Sequence, residues 1–385
     1  MQNLKPHHDK REVLCQNVIS KHQDRNLTES LAKLPSTISN NLNFSDAIFC
    51  ENFKKIDKDE PFVSEEETKF PLAFAFNIHR EFVLFARLFR AVYRRHNSYC
   101  IHVDAKVDVE FRNQVTNLVK CFGENVHLIP LKSSILINWG DLGTIEAWFQ
   151  CAKYFLRSFN VPWKYMLNVS GQEFPLRTNW ELVKALMVIN GSNVVEFDGI
   201  KAVRERVPKR RVSFRLRWLK GSVYTALRKE MVKFILTNKY ATQILAALRT
   251  EGNQSKAQDE LFFTTLNYNR QFKAPGGCFV LRQPKESDPR SIFVARYVQW
   301  APPGQCSSKR SQRGVCIMGV RNVPELIRRP EFFVNKFRHD FEPVAYDCLE
   351  WWLLQKIKLE RRKKRIASDF DPVFYKNLYC SKHHF

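Results

Sequence analysis

The sequence contains no run of about 20 apolar residues, so nothing in it reads as a membrane span. No apolar stretch near its start reads as a signal peptide. It has no GxGxxG and no GxxxxGK[ST], which removes the standard dinucleotide and P-loop sites. No two cysteines are spaced CxxC and no Cys/His group has zinc-finger spacing, so a metal framework lacks ligands. No internal repeat is visible. Acidic residues are the scarce class: 39 Asp and Glu face 62 Lys and Arg, leaving a net charge of +23. Such a surplus suits an anionic partner: nucleic acid, an anionic membrane, or a phosphate-bearing small molecule.

What is present points to a large core. The 385 residues are 44% hydrophobic and include 31 Phe, enough for one large domain or two modest ones. The ten cysteines, Cys15, Cys50, Cys100, Cys121, Cys151, Cys278, Cys306, Cys316, Cys348 and Cys380, are scattered and even in number, which fits disulfides made in an oxidising compartment. Sequons begin at Asn26, Asn43, Asn168, Asn190 and Asn253. Asn168 lies in an apolar run unsuited to a glycan, and we expect glycans at Asn26 and Asn43. A secretory route then needs a leader or anchor outside this chain.

Residues 1–69 are polar and read as an extended stem stapled by Cys15 and Cys50. From residue 70, short apolar runs alternate with helical periodicity. FPLAFAFNIH, SYCIHVD, NVHLIPL and KYMLNVS read as strands; FVLFARLFRAVYRR, VEFRNQVTNLVKCF, TIEAWFQCAKYFL and NWELVKALMV read as helices. Such alternation builds βαβ units and a mostly parallel sheet, with ligands beyond the carboxyl ends of the strands. That singles out His79, Asp104 and the SGQEFP turn at 170–175. The stretch NQSKAQDELFFTTL has a capping-box pattern in Ser255 and Gln258, followed by an acidic first turn, Asp259–Glu260. The segment from FVNKF through KLERRKKR reads as one long final helix with a basic end.

Taken in order, FPLAFAFNIHR (70–80), YCIHVDAK (99–106), WKYMLNVSGQEFPLRTN (163–179), DELFF (259–263), RGVCIMG (313–319) and FVNKFRHDF (333–341) resemble the core-2/I-branching β-1,6-N-acetylglucosaminyltransferases, glycosyltransferase family 14. The resemblance spans about residues 70–350. It implies an α/β, GT-A-like fold with a Rossmann-like, mostly parallel sheet flanked by helices. The catalytic domain would run over 70–385, with a nucleotide-binding half at about 70–195, an acceptor half at about 196–350, and a basic tail at 351–385. The implied activity is inverting transfer of N-acetylglucosamine from UDP-GlcNAc to a sugar 6-hydroxyl in an O-glycan core. Relatives are type II Golgi membrane proteins with a lumenal catalytic domain, so the Golgi lumen is the implied location.

The resemblance also assigns residues. Glu260 falls on the general base. Asn77, Ile78, His79, Asp104, Ala105, Lys106 and Leu136 fall on the donor site, with Leu136 standing where relatives often carry an aromatic. Arg313 and Lys336 fall on two fixed cations that replace a divalent metal at the diphosphate, so no metal cofactor is implied. The chain's two formal DxD triplets, Asp57-Lys58-Asp59 and Asp369-Phe370-Asp371, end no strand, and neither is expected to be functional. Asp198, Arg206, Lys209, Lys285 and Trp300 fall on the acceptor site. The implied disulfides are Cys15–Cys348, Cys50–Cys121, Cys100–Cys151 and Cys306–Cys316; Cys278 and Cys380 are left over, and Ser170 replaces a cysteine common in relatives. Gln258 stands where relatives carry Pro. Three other readings stay open: a protein xylosyltransferase using UDP-xylose, a non-catalytic polyanion binder using RERVPKRR and KLERRKKR, and a family member that has lost activity. No nucleic-acid module is present.

Overall fold

The structure is a computed structural model that describes residues 5–20, 25–36, 42–54, 63–158, 161–199, 206–250, 257–282, 285, 287–302 and 304–385. Asp57, Asp59, Asn253 and Ser255 lie outside the described residues, as does the side chain of Asn26.

Where the composition of the first 69 residues suggests an extended stem, the described part is helical: α1 (Lys5–Ser20), α2 (Arg25–Ala32), α3 (Ala47–Lys54) and α4 (Glu65–Lys69). Cys15, Val18 and Leu31 are buried among Tyr346, Cys348 and Leu349, so a few apolar residues in a polar stretch suffice to dock it. The alternating region then gives β1 (Leu72–Ile78), α5 (Phe82–Val92), β2 (Ser98–Val103), α6 (Val109–Lys120), β3 (Val126–Leu128), α7 (Gly143–Arg157), β4 (Tyr165–Ser170), β5 (Glu173–Pro175), α8 (Asn179–Val188), β6 (Val194–Val195) and β7 (Thr225–Arg228). After these come α9 (Lys229–Thr237), α10 (Lys239–Arg249), α11 (Asp259–Tyr268), β8 (Arg296–Val298), β9 (Ser311–Gln312), β10 (Val315–Cys316), α12 (Val323–Leu326), β11 (Phe333–Asn335), α13 (Val344–Lys363), α14 (Pro372–Lys376) and α15 (Tyr379–Lys382).

The central six-stranded sheet has the order β3-β2-β1-β4-β7-β6, and only β7 runs against the others. The molecule is thus mixed α/β with helices on a mostly parallel sheet. Strands β1 and β2 are almost entirely buried because helices cover both faces. On one face Phe85 and Phe89 of α5 meet Phe76 and Tyr99 edge-on, with centroids 5.3–5.6 Å apart. On the other, Trp148 and Phe149 of α7 pack on Phe263 and Phe262 of α11.

The long final helix is shorter than its sequence suggests. Phe333–Asn335 instead forms β11, the middle strand of a small sheet ordered β5-β11-β8, and the helix starts only after Pro343. Pairing on both edges outweighs the helical propensity of the flanking residues. The Cys278–Cys380 disulfide and backbone bonds from Gly276 to Phe385 and from Phe385 to Gly277 fasten the basic end to the body. The other four disulfides are Cys15–Cys348, Cys50–Cys121, Cys100–Cys151 and Cys306–Cys316, the pairs implied by the resemblance, and no cysteine is left free. Cys278 and Cys380 are separated by 102 residues. Replacing both by Ser is expected to lower unfolding stability by about 2–4 kcal/mol. Guanidinium melts check this, and an unchanged midpoint would show that the bond does no work.

Candidate functional site

Two strand ends open the site. Asp104, just past β2, donates its N–H to Ile78 O at 2.9 Å, and its carboxylate accepts the Lys106 N–H at 3.1 Å and lies 3.2 Å from Lys106 Nζ. Lys106 Nζ also donates to the Ile137 carbonyl. Asn77 Oδ1 meets His102 Nδ1 at 3.1 Å, and His102 Nε2 accepts the Ile135 N–H at 2.8 Å. Burial pushes His102 down to about 4, so it stays neutral and can accept that bond. Ala105 N–H adds a bond to Ile135 O. Asn77, Ile78, Asp104, Ala105 and Lys106 are thereby locked to the 135–137 loop. That loop presents Leu136, 54% exposed, and leads into Trp139, 59% exposed.

A cluster of cations faces these strand ends. Arg313 and Gly314 form the turn between β9 and β10, both with positive φ, at 55° and 76°. A primed hairpin turn demands that geometry; Arg accepts a left-handed conformation that glycine takes more readily, which aims the guanidinium over the Trp139 ring, 5.5 Å from its centroid. Lys336 follows β11, held by Met318 N–H on its own carbonyl and Phe337 N–H on Gln172 O. Burial first, then the charges of Arg313, Arg80 and Arg338, push Lys336 down to about 8. His79 accepts from Arg80 Nε at 2.7 Å, and partial desolvation of its ring, then the charges of Arg80, Lys106 and Lys336, lower it. Beneath them Arg296 and Glu173, both buried, pair at 3.1 Å, and Ser170 donates to Glu173 Oε1 at 2.8 Å. Asn335, adjacent to Lys336, completes this network by donating to Ser170 Oγ at 3.3 Å.

The third part is the start of α11. Burial of Phe262 and Phe263 against α7 fixes this helix, so its first turn must meet the turn preceding α7. Gln258 stands at the N-cap of α11 without a side-chain capping bond, and its N–H reaches Gly140 O at 3.4 Å; the Ser255 half of the capping-box pattern lies outside the described residues. Glu260 Oε2 accepts from Arg206 at 2.5 Å and lies 3.6 Å from Lys220 Nζ, which also pairs with Asp198. Burial would lower Lys220, but the Asp198 hydrogen bond and the Glu260 charge more than offset it and raise it. Gly221 closes the knot: its N–H donates to Glu260 O, and a Cβ there would sit 2.1 Å from Glu196 O. Burial, then neighbouring carboxylates, push Glu196 and Asp259 up to about 7 each.

The structure thus brings Asp198, Arg206 and Glu260 together. Trp300, 66% exposed and bridged to Val315, stands beside the Arg313–Gly314 turn, on the outside of the molecule rather than in its core. Lys209 is exposed three residues beyond Arg206, and Lys285 is exposed on a separate loop, where its carbonyl accepts from Ser291. Residues 138–141 join the two charged regions: Trp139 faces Arg313, Gly140 receives Gln258, and Asp141 acts on Asp259. Sequence reasoning passed over Lys220, Glu196, Trp139 and Arg80. The alternation Val-Glu-Phe-Asp at 195–198 was a signal for Glu196; Lys220, inside a basic run, gave none. Of the DxD residues described, Asp369 pairs with Lys356 and Asp371 caps α14.

Residues 72–327 match the sequence model of the family described as Core-2/I-Branching enzyme. A human N-acetyllactosaminide β-1,6-N-acetylglucosaminyl-transferase is 31% identical over 315 residues, 75% of this chain and 73% of the relative. A human β-1,3-galactosyl-O-glycosyl-glycoprotein β-1,6-N-acetylglucosaminyltransferase 3 is 29% identical over 335 residues, 80% of this chain and 74% of the relative. Among solved structures, the mannosyltransferase Ktr4p of S. cerevisiae with GDP covers 68% of this chain and 85% of its own, at 8% identity and a TM-score of 0.27, too low an overlap to carry an argument.

Proposed function

Because this chain belongs to the Core-2/I-branching enzyme family, and so to the glycosyltransferases, we propose that it is an inverting, metal-independent β-1,6-N-acetylglucosaminyltransferase of GT-A-like fold. Its donor is UDP-GlcNAc, its acceptor a sugar 6-hydroxyl on an O-glycan core, and its workplace the Golgi lumen. Among the described residues no helix is long and apolar enough to cross a membrane. The observation that carries the reading is the pairing of a carboxylate anchored on a helix start with a crowded set of cations, linked by residues 138–141.

The chemistry follows from those parts. Uracil and ribose sit at Asn77–His79 and Asp104–Lys106, where the strand ends offer a fixed carboxylate and backbone groups. Glu260 removes the proton of the acceptor hydroxyl. Arg206 occupies Oε2, which leaves Oε1 to accept it. The freed oxygen attacks the anomeric carbon from the face opposite the diphosphate, and the bond from that carbon to the diphosphate oxygen breaks. Arg313 and Lys336 meet the charge that develops on the leaving group, acting as preorganised cations. Held by Arg206 at the start of α11, this base works by position.

A donor and acceptor panel with the full chain, secreted behind a fused leader, tests the reading. Transfer from UDP-GlcNAc to Galβ1-3GalNAc is expected, with the rate unchanged in EDTA. Loss of turnover on chelation would overturn the two-cation account. Preference for UDP-xylose would move the chain to the xylosyltransferase reading, and salt-sensitive polyanion binding without turnover would remove the enzyme reading.

A further inference from the structure

A cavity of about 340 Å³ opens where β4 begins, at the opposite strand ends from the proposed donor site. Its volume falls within the roughly 300–1,000 Å³ of small-ligand sites. Phe70 and Tyr165, stacked at 6.0 Å, form one wall together with Trp163; Met187, 38% exposed, faces solvent on its rim, and Lys164 and Arg228 supply donors. On the same rim lies Asn190, exposed, its side-chain amide making no hydrogen bond to any described residue. Asn190 begins the sequon Asn190-Gly191-Ser192. The turn after α8 turns it outward: Asn190 has φ 56° and Gly191 φ 90°, and the Asn190 N–H returns to Met187 O at 3.1 Å.

We infer that Asn190 is an N-glycosylation site and that the first N-acetylglucosamine of its glycan seats in this cavity. The inference rests on the sequon, the cavity and the disulfides, all of which stand whether or not the chain transfers sugar. In the modifying step the Asn190 amide nitrogen bonds to the anomeric carbon of a lipid-diphosphate-linked oligosaccharide. The bond from that carbon to the diphosphate oxygen breaks, the lipid diphosphate leaves, and the amide loses one proton. A pyranose attached there starts at the cavity's edge. Its C–H face and acetamide methyl match Phe70 and Met187, and its hydroxyls reach Lys164 and Arg228. Being tethered, the sugar occupies the cavity at high effective concentration, so modest contacts suffice. Asn168 is the contrasting sequon: it is buried, with its amide committed to Val223 O and Thr225 N–H, and it takes no glycan.

The test uses the full chain secreted from a eukaryotic host. Release by peptide N-glycosidase in heavy-oxygen water should label residue 190, and the same incubation without the enzyme should not, which separates glycan loss from slow deamidation of the Asn-Gly pair. An unlabelled residue 190 overturns the site. For the seat, an endoglycosidase trims the glycans to single sugars, and the melting midpoint is compared with that of Asn190→Asp, which tolerates the left-handed backbone. The single-sugar form is expected to melt about 2 °C higher, and the gap should vanish when both carry Met187→Ala. Met187 is surface-exposed, so that variant keeps the fold. An equal gap with and without Met187, or no gap at all, overturns the seat even if the glycan is present.

Discussion

Glu260→Gln is expected to lower turnover by about 10²–10⁴-fold, the range a positioned general base supplies, while UDP affinity stays within about twofold of the wild type. Gln keeps the shape of the side chain and can still accept from Arg206 at Oε1, but it cannot take a proton. The helix does not depend on the carboxylate, because Phe262, Phe263 and Leu261 are fully buried and hold α11 on α7. Lys220 keeps Asp198 as its partner. Rate and binding therefore separate, as they must if Glu260 acts on the acceptor and not on the donor. Single-turnover assays and UDP calorimetry measure the two independently. Retention of most of the rate would move the base elsewhere, and a parallel loss of UDP affinity would show that the change had disturbed the donor site.

The second large effect concerns Lys336. Lys336→Met should reduce turnover by about 10²–10³-fold, as loss of one preorganised charge on a developing anion typically does. It should also change how UDP binding depends on pH. Burial and the neighbouring Arg313, Arg80 and Arg338 depress Lys336 to about 8, so it is charged below that pH and neutral above it. A diphosphate prefers the charged form, which means that binding raises this value and takes up a proton above pH 8. Wild-type affinity should fall as pH rises from 7 to 9, and Lys336→Met should be weaker at pH 7 but nearly flat over the same interval. Calorimetry in buffers of different ionisation enthalpy reads both the affinity and the proton. Identical slopes in the two proteins would remove Lys336 from the diphosphate site.

Much of this arrangement was written in local patterns. Alternating apolar runs announced the strands, and His79 and Asp104 follow from where those strands end, whereas Asn77 and Lys106 came with the family resemblance. The ten scattered cysteines implied disulfides. Other parts were not legible. The staples at Cys15 and Cys50 were legible, but the described part of residues 1–69 is helical rather than extended, and composition could not show that Val18 and Leu31 are buried with residues of α13. The single final helix failed because Phe333–Asn335 is drawn into a sheet by partners from 173–175 and 296–298, far away in the chain. Lys220 was lost in a basic run, and its meaning comes only from Asp198 and Glu260.

The pair Asp259–Glu260 shows the division most clearly. By itself the sequence determined that an acidic first turn opens an apolar helix, because those residue types and that spacing act over a few neighbouring positions. Only the tertiary structure decided what the pair faces. Packing of Phe262 and Phe263 on α7 sets the helix beside residues 138–141, and the fold brings Arg206 and Lys220 from other segments to the Glu260 carboxylate. Short-range propensity is encoded residue by residue, whereas a charge's environment is set by side chains that meet only when the core closes.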